Sequence, residues 1–196
     1  MASLTAWELT SHKVNTYAYY THVFDDMLEQ ILSYGDSLRL KSATIGISDE
    51  YKNDSSIRKT KVAWIDGDKD SAPLFQRLTD IILIANKEWF EFDLTSIEQI
   101  QYTLYEEGDF YNQHVDHMHE AVGSLTRKLS FVLQLTDPSE YDGGNTELIT
   151  GPEILTIPKE KGTITFFPSY VLHKVTPITR GTRKALVGWV RGPKWK

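Results

Sequence analysis

The sequence predicts a mainly β protein with supporting N-terminal helices, an α+β fold. Two observations carry that prediction. After Leu94 the chain breaks into short runs rich in β-branched and aromatic residues, punctuated by Gly, Pro, Asp and Asn. Before it, two stretches repeat apolar residues at helical spacing. Short strands spaced regularly, with no helices between them, argue for a sandwich or barrel. At 196 residues the chain suits one well-cored domain, 1–196. Within it, about 1–95 would be helical and strand support, and about 96–192 the β core carrying any site.

Composition narrows the functions available. A net charge of -6 argues against nucleic acid as a partner. The chain has no Cys, which excludes disulfides, thiolate nucleophiles and Cys-based zinc or iron–sulfur sites. Any metal site must then come from His, Asp and Glu. The first residues lack a basic segment leading into an apolar run, so no signal peptide is expected. No apolar stretch approaches the ~20 residues that span a bilayer. The expectation is a cytoplasmic, soluble protein without a membrane partner.

The elements follow in order. Residues 1–20 carry little pattern, and Tyr17, Tyr19 and Tyr20 read as packing residues or an edge strand. Over 22–34, Val23, Phe24, Met27, Leu28, Ile31 and Leu32 recur at helical spacing, with Gly35 as the stop. His12 and His22 have no partner at a recognisable spacing and read as structural. Residues 48–60 are polar and rich in turn formers, a loop that is either a solvated connector or a lid. Residues 62–65 read as a strand ended by Asp66-Gly67. A second helix over 73–90 has Pro73 in its first turn and a broad apolar face of Leu74, Phe75, Leu78, Ile81, Ile82, Ile84 and Ala85. Strands are expected at 100–105, 128–135, 147–150, 154–157, 163–167 and 185–191.

Chemistry concentrates in residues 101–120. At its centre stands His114-Val115-Asp116, which in extended chain puts the imidazole and the carboxylate on one face. His117 and His119 follow at once, too close along the chain to bend back onto the same metal, and are expected near a pocket mouth. His173, after the strand-to-turn run Phe166-Phe167-Pro168, supplies a second histidine from another strand. Two histidines and one carboxylate are the facial-triad set, which leaves positions on Fe(II) open for a bidentate co-substrate and O2. A dicarboxylic keto acid bound there would bury its distal carboxylate, which calls for a cation. Arg183, ten residues after His173, heads an otherwise apolar strand and has the fork that suits a carboxylate.

Together these residues resemble the motif of the Fe(II)/2-oxoglutarate-dependent dioxygenases, and in finer pattern the prolyl 4-hydroxylase catalytic-domain type, including bacterial and phage-like members. Tyr105-x-x-Gly108-x-x-Tyr111-x-x-His114 resembles the family's lead-in to the first ligand. Arg127 heads a similar strand, Tyr141-x-Gly143-Gly144 resembles its turn, and Trp189 stands where the family has a strand-internal Trp. The likeness covers about residues 95–192. Departures are Gln134, where some relatives have a Tyr, Asn145-Thr146 inserted before Glu147, and Arg183 where collagen-type members use Lys.

The resemblance implies a double-stranded β-helix (jelly-roll) barrel. His114, Asp116 and His173 would bind Fe(II); Arg183 and Tyr105 would bind 2-oxoglutarate. Tyr111, Arg127 and Trp189 would line the substrate cleft. The implied reaction uses O2, with ascorbate as a possible reductant, to hydroxylate an unactivated C–H bond, releasing succinate and CO2. A prolyl residue in a peptide or protein is the implied substrate. The alternatives are the same chemistry on another side chain or small molecule, a metal-binding barrel without catalysis, and a β-sandwich interaction module.

Overall fold

The computed structural model describes residues 15–44, 54–117 and 125–195. His12, His119 and residues 48–53 of the polar loop lie outside them. The chain starts with an edge strand, β1 (Ala18–Tyr20), then α1 (Leu28–Ser37) and the short strands β2 (Lys41–Ser42) and β3 (Arg58–Lys59). Next come β4 (Lys61–Ile65) and α2 (Ala72–Ala85), which runs on as one π-helical turn, Asn86–Phe90. The β half contains β5 (Ser96–Ile97), β6 (Ile100–Tyr105), β7 (Phe110–His114) and β8 (Leu125–Gln134). A 3-10 turn precedes β9 (Tyr141–Gly143), β10 (Thr146–Ile149) and β11 (Ile154–Thr156). The last strands are β12 (Ile164–Pro168), β13 (Leu172–Val175), β14 (Ile178–Gly181) and β15 (Arg183–Pro193).

These strands form two facing sheets, as the jelly-roll expectation requires. The larger, of eight strands, runs β1-β12-β8-β15-β6-β4-β2, with β5 beside β15; the smaller runs β11-β10-β13-β7-β3. A two-stranded piece, β14-β9, lies apart from both. The alternation of side chains along the three central strands assigns each residue its layer. On β8, Leu129, Phe131 and Leu133 join the core under the helices, while Ser130, Val132 and Gln134 point the other way. On β15, Leu186 and Val190 meet the helices; Arg183, Val187 and Trp189 line a cavity between the sheets. On β6, Ile100 and Tyr102 face the helices, whereas Gln101 and Tyr105 line the cavity. A register shift where Val190 opposes Leu129 and Arg191 opposes Arg127 breaks the parity and lets Arg127 also reach the cavity.

The helices cover the outer face of the larger sheet. Leu74, Leu78, Ile81, Ile82 and Ala85 of α2 and Leu28 and Ile31 of α1 pack with Tyr102, Phe131 and Phe166. No helix among the described residues is long and apolar enough to cross a membrane.

Four sequence expectations need correction. The first helix does not span 22–34: His22 takes a left-handed φ of 64°, which a helix cannot contain, and α1 begins only at Leu28. Gly35 does not stop the helix but lies inside it, because a Cβ there would fall 2.3 Å from the Tyr102 ring. Ile84, expected on the apolar face of α2, is exposed. The polar stretch 48–60 is also shorter as a loop than expected, since Arg58 and Lys59 already pair with β7 as β3.

Candidate active site

Strands β7 and β13 run antiparallel with His114 opposite His173. Asp116 follows β7, and its backbone N–H donates to the Ser169 carbonyl at 2.9 Å, which fixes the chain as it leaves the strand. The sequence predicted these three residues as a set, and they converge: one ligating atom from each lies within 4.8 Å of the others. His114 Nε2 is 3.7 Å from Asp116 Oδ1, and His173 Nε2 is 3.4 Å from Oδ2. Both imidazoles hold their other nitrogen against a main-chain carbonyl. Nδ1–H of His114 donates to Asn112 O at 2.7 Å, and Nδ1–H of His173 to Val171 O at 2.9 Å. A carbonyl only accepts, so each Nε2 is left with its lone pair aimed at the centre, the tautomer a metal needs.

The electrostatics agree with that donor set. Burial pushes the His114 imidazole down to about 4, and the neighbouring His173 pushes the same way. Burial alone would raise the Asp116 carboxyl, but His173, His114 and Arg127 outweigh it and hold it below the usual carboxylate range. Asp116 thus offers an anionic oxygen and His114 a neutral nitrogen, the forms that ligate a metal. Ser130, fully buried on β8, donates to Asp116 Oδ2 at 2.8 Å and lies 2.9 Å from the Ser169 hydroxyl. Sequence reasoning missed Ser130; it sits in an apolar run, and only strand alternation could have marked it as inward.

The site opens into a cavity of about 650 Å³. Deep within it, Arg183 is 2% exposed. Its Nε and Nη2 donate to Gln134 Oε1 at 3.2 and 3.0 Å, and Nη2 reaches Thr146 Oγ1 at 3.3 Å. These partners are neutral, and no acid among the described residues pairs with it. Two of the residues at which the sequence departs from the family, Gln134 and Thr146, therefore orient Arg183. Gly143 and Gly144 lead into Thr146 with φ of 74° and 59°, and a Cβ on Gly144 would come 3.2 Å from the Arg183 side chain. Tyr105 lines the same cavity, its ring 5.6 Å from the Arg183 guanidinium.

Tyr111, Arg127 and Trp189 all line the cavity. Tyr111 lies flat on the His114 ring, centroids 3.5 Å apart. Arg127 grips Glu98 with two bonds of 2.8 and 2.7 Å and covers the Trp189 ring at 3.7 Å. Trp189 Nε1–H is buried without a full hydrogen bond, and its nearness helps lower the Asp116 carboxyl. His117 also lines the cavity, with Nδ1 near Thr126 Oγ1 at 3.3 Å. Arg58, which the sequence left inside a polar loop, proves to be a buried cavity residue, and nothing in its local pattern announced that.

Chemically, two nitrogens and a carboxylate oxygen on one wall of an open cavity fit an octahedral metal such as Fe(II) with sites to spare. An acid-free buried guanidinium in that cavity fits the far carboxylate of a keto acid.

Comparison with known proteins agrees. Residues 100–191 match the profile of the 2OG-Fe(II) oxygenase superfamily. A PKHD-type hydroxylase of Synechococcus sp. (strain CC9902) is 30% identical over 173 residues, which is 77% of this chain and 76% of that protein. Against several other PKHD-type hydroxylases the matched stretch spans only 39–43% of their length. Two solved structures share the fold. A Pseudomonas putida prolyl-4-hydroxylase superposes with a TM-score of 0.70 at 22% identity, covering 91% of this chain and 94% of that one. A Trichoplax adhaerens prolyl hydroxylase, in complex with a hypoxia inducible factor oxygen degradation domain peptide fragment, does so at 0.71 and 18%, covering 90% and 83%.

Proposed function

The chain belongs to the 2OG-Fe(II) oxygenase superfamily, among its PKHD-type, prolyl 4-hydroxylase-like members, and we propose that it hydroxylates a prolyl residue of a peptide or protein. In the reaction a substrate C–H, 2-oxoglutarate and O2 become C–OH, succinate and CO2. One oxygen atom goes to the alcohol and the other to the new succinate carboxylate.

One observation carries this reading: Arg183, buried and without an acid, shares a cavity with the His114–Asp116–His173 set. A site that only stored metal would have no use for that cation, since an unmatched buried charge costs several kcal/mol. Fe(II), held by His114 and His173 Nε2 and the Asp116 carboxylate, would supply the O2-activating chemistry. Arg183, oriented by Gln134 and Thr146, binds the C5 carboxylate of 2-oxoglutarate, with Tyr105 beside it. Ser130 holds the Asp116 carboxylate in place. Tyr111, Arg127 and Trp189 line the cavity beside the metal-binding set and would border the substrate. Ascorbate, as an external reductant, follows from the family pattern alone. Residues 1–196 act as one catalytic unit, with 96–192 carrying the site.

The test is purified protein with Fe(II), 2-oxoglutarate and a panel of prolyl peptides, followed by succinate release and peptide mass. Succinate formed in step with a 16 Da gain on a prolyl residue is expected. Succinate coupled to a different acceptor would move the substrate, and no 2-oxoglutarate turnover on any acceptor would remove the enzyme assignment.

A further inference from the structure

The cavity holds a second cation that the reaction above leaves unused. Arg58 is 8% exposed and lies on β3, opposite Tyr111 in register. Its guanidinium covers the Tyr111 ring at 4.6 Å, and that ring in turn lies on His114 at 3.5 Å. One ring thickness therefore separates Arg58 from the metal wall. Among the described residues its side chain makes a single hydrogen bond, Nη2 to the neutral Gln101 Oε1 at 3.1 Å. Among those residues its Nε–H, also buried, has no hydrogen-bond partner.

The cavity's other charges do not answer it. Arg127 is neutralised by Glu98. Arg183 is matched by the co-substrate in the proposed reaction. Arg39 and Lys41 also line the cavity but are exposed at its rim. Asp116 is the single carboxylate among the described lining residues, and both its oxygens face the two histidines. Among the described residues, a protein of net charge -6 has thus set several cations and one carboxylate around this opening. Water solvates a buried guanidinium poorly, and a planar fork with open N–H groups is shaped for a carboxylate. One keto acid cannot satisfy both Arg183 and Arg58 while chelating the metal through its other end.

We propose that Arg58 binds a carboxylate of the substrate itself, so that the substrate carries an acid group next to the carbon that is oxidised. This rests on the proposed reaction for its location but not for its chemistry. The acid is either the α-carboxylate of a terminal or free residue, or a side-chain carboxylate beside an internal one. Tyr111, pinned between Arg58 and His114, then spaces the acid from the metal.

Isothermal titration onto protein loaded with Mn(II) and 2-oxoglutarate tests this with two matched pairs. N-acetyl-L-proline against N-acetyl-L-prolinamide reads the α-carboxylate; a blocked Pro-Asp dipeptide against its Pro-Asn twin reads the side chain. In at least one pair the acid is expected to bind about thirtyfold or more tightly than its neutral partner, the scale of a desolvated charge pair. In Arg58→Gln that ratio should fall to within about threefold of unity, with Arg58→Lys between the two. Equal binding of acid and neutral probe in both pairs overturns the proposal, as does a preference that survives Arg58→Gln. Should Arg58→Gln not fold, Arg58→Lys decides, and an unchanged ratio there overturns it too. Loading is titrated first: protein that takes up no 2-oxoglutarate counts against the reaction, while the acid-to-neutral ratio is still read on the unloaded chain.

Discussion

The side chains behind the metal wall matter as much as those in it. Ser130 donates to the Asp116 oxygen that faces His173. Replacing it by Ala leaves that oxygen short of a donor and free to turn. Ser130→Ala is expected to weaken Mn(II) binding by about 10–100-fold, the usual cost of losing an orienting partner, with the fold intact by circular dichroism. Unchanged affinity would make Ser130 a packing residue. Arg183 faces a stricter test. Arg183→Gln should raise the Kd for 2-oxoglutarate by roughly 30-fold or more, since truncating one member of a buried charge pair costs about 2–5 kcal/mol. Metal affinity, read separately, should stay close to native. At this scale the sequence was most legible where chemistry restricts the choice: His114, Asp116, His173 and Arg183 have few substitutes. Ser130 and Arg58 were not, because a Ser in an apolar run and an Arg in a polar loop each have a commoner explanation than a cavity.

The strands do the sorting that brings such residues together. Period-two alternation sends Phe131 to the helices and Ser130 to the Asp116 carboxylate, and likewise Leu186 outward and Arg183 inward. A one-residue slip of β8 or β15 would exchange the two sets, so the apolar packing under α1 and α2 also holds the site in register. Gly35 is a tight point of that packing, with the Tyr102 ring 2.3 Å from where a Cβ would stand. Gly35→Ala should destabilise the protein by about 1–3 kcal/mol through overpacking, read as a lower denaturant midpoint with an unchanged slope. A neutral result would mean that α1 shifts freely on the sheet. Strand positions were legible because Gly, Pro and Asn interrupt strongly β-branched runs. The start of α1 was not: Val23 and Phe24 fit a helical pattern, yet the left-handed φ at His22 keeps the helix from starting there. The same holds for β3, two residues long and formed only because β7 lies alongside.

At the scale of the molecule, an acidic protein is built around a cation-lined cavity. The helices brace the outer face of one sheet, and His114 and His173 stand on the other, so a ligand reaching from them to Arg183 would bridge the two sheets. Binding to the folded state alone should then stabilise the whole. Mn(II) with 2-oxoglutarate at about a hundred times Kd should add about 2.7 kcal/mol, or roughly 5–10 °C in Tm for a chain of this size. Asp116→Ala should lose that shift. The jelly-roll class was legible from strand spacing together with the motif, whereas the pairing order of the two sheets was not, because long-range pairings leave no local trace. The most direct measurement is a crystal structure of the protein with Mn(II) and 2-oxoglutarate. The expected result is an anomalous peak ligated by His114 Nε2, His173 Nε2 and the Asp116 carboxylate, with the distal carboxylate of the keto acid on Arg183. A metal bound elsewhere, or a keto acid whose distal carboxylate avoids Arg183, would contradict it.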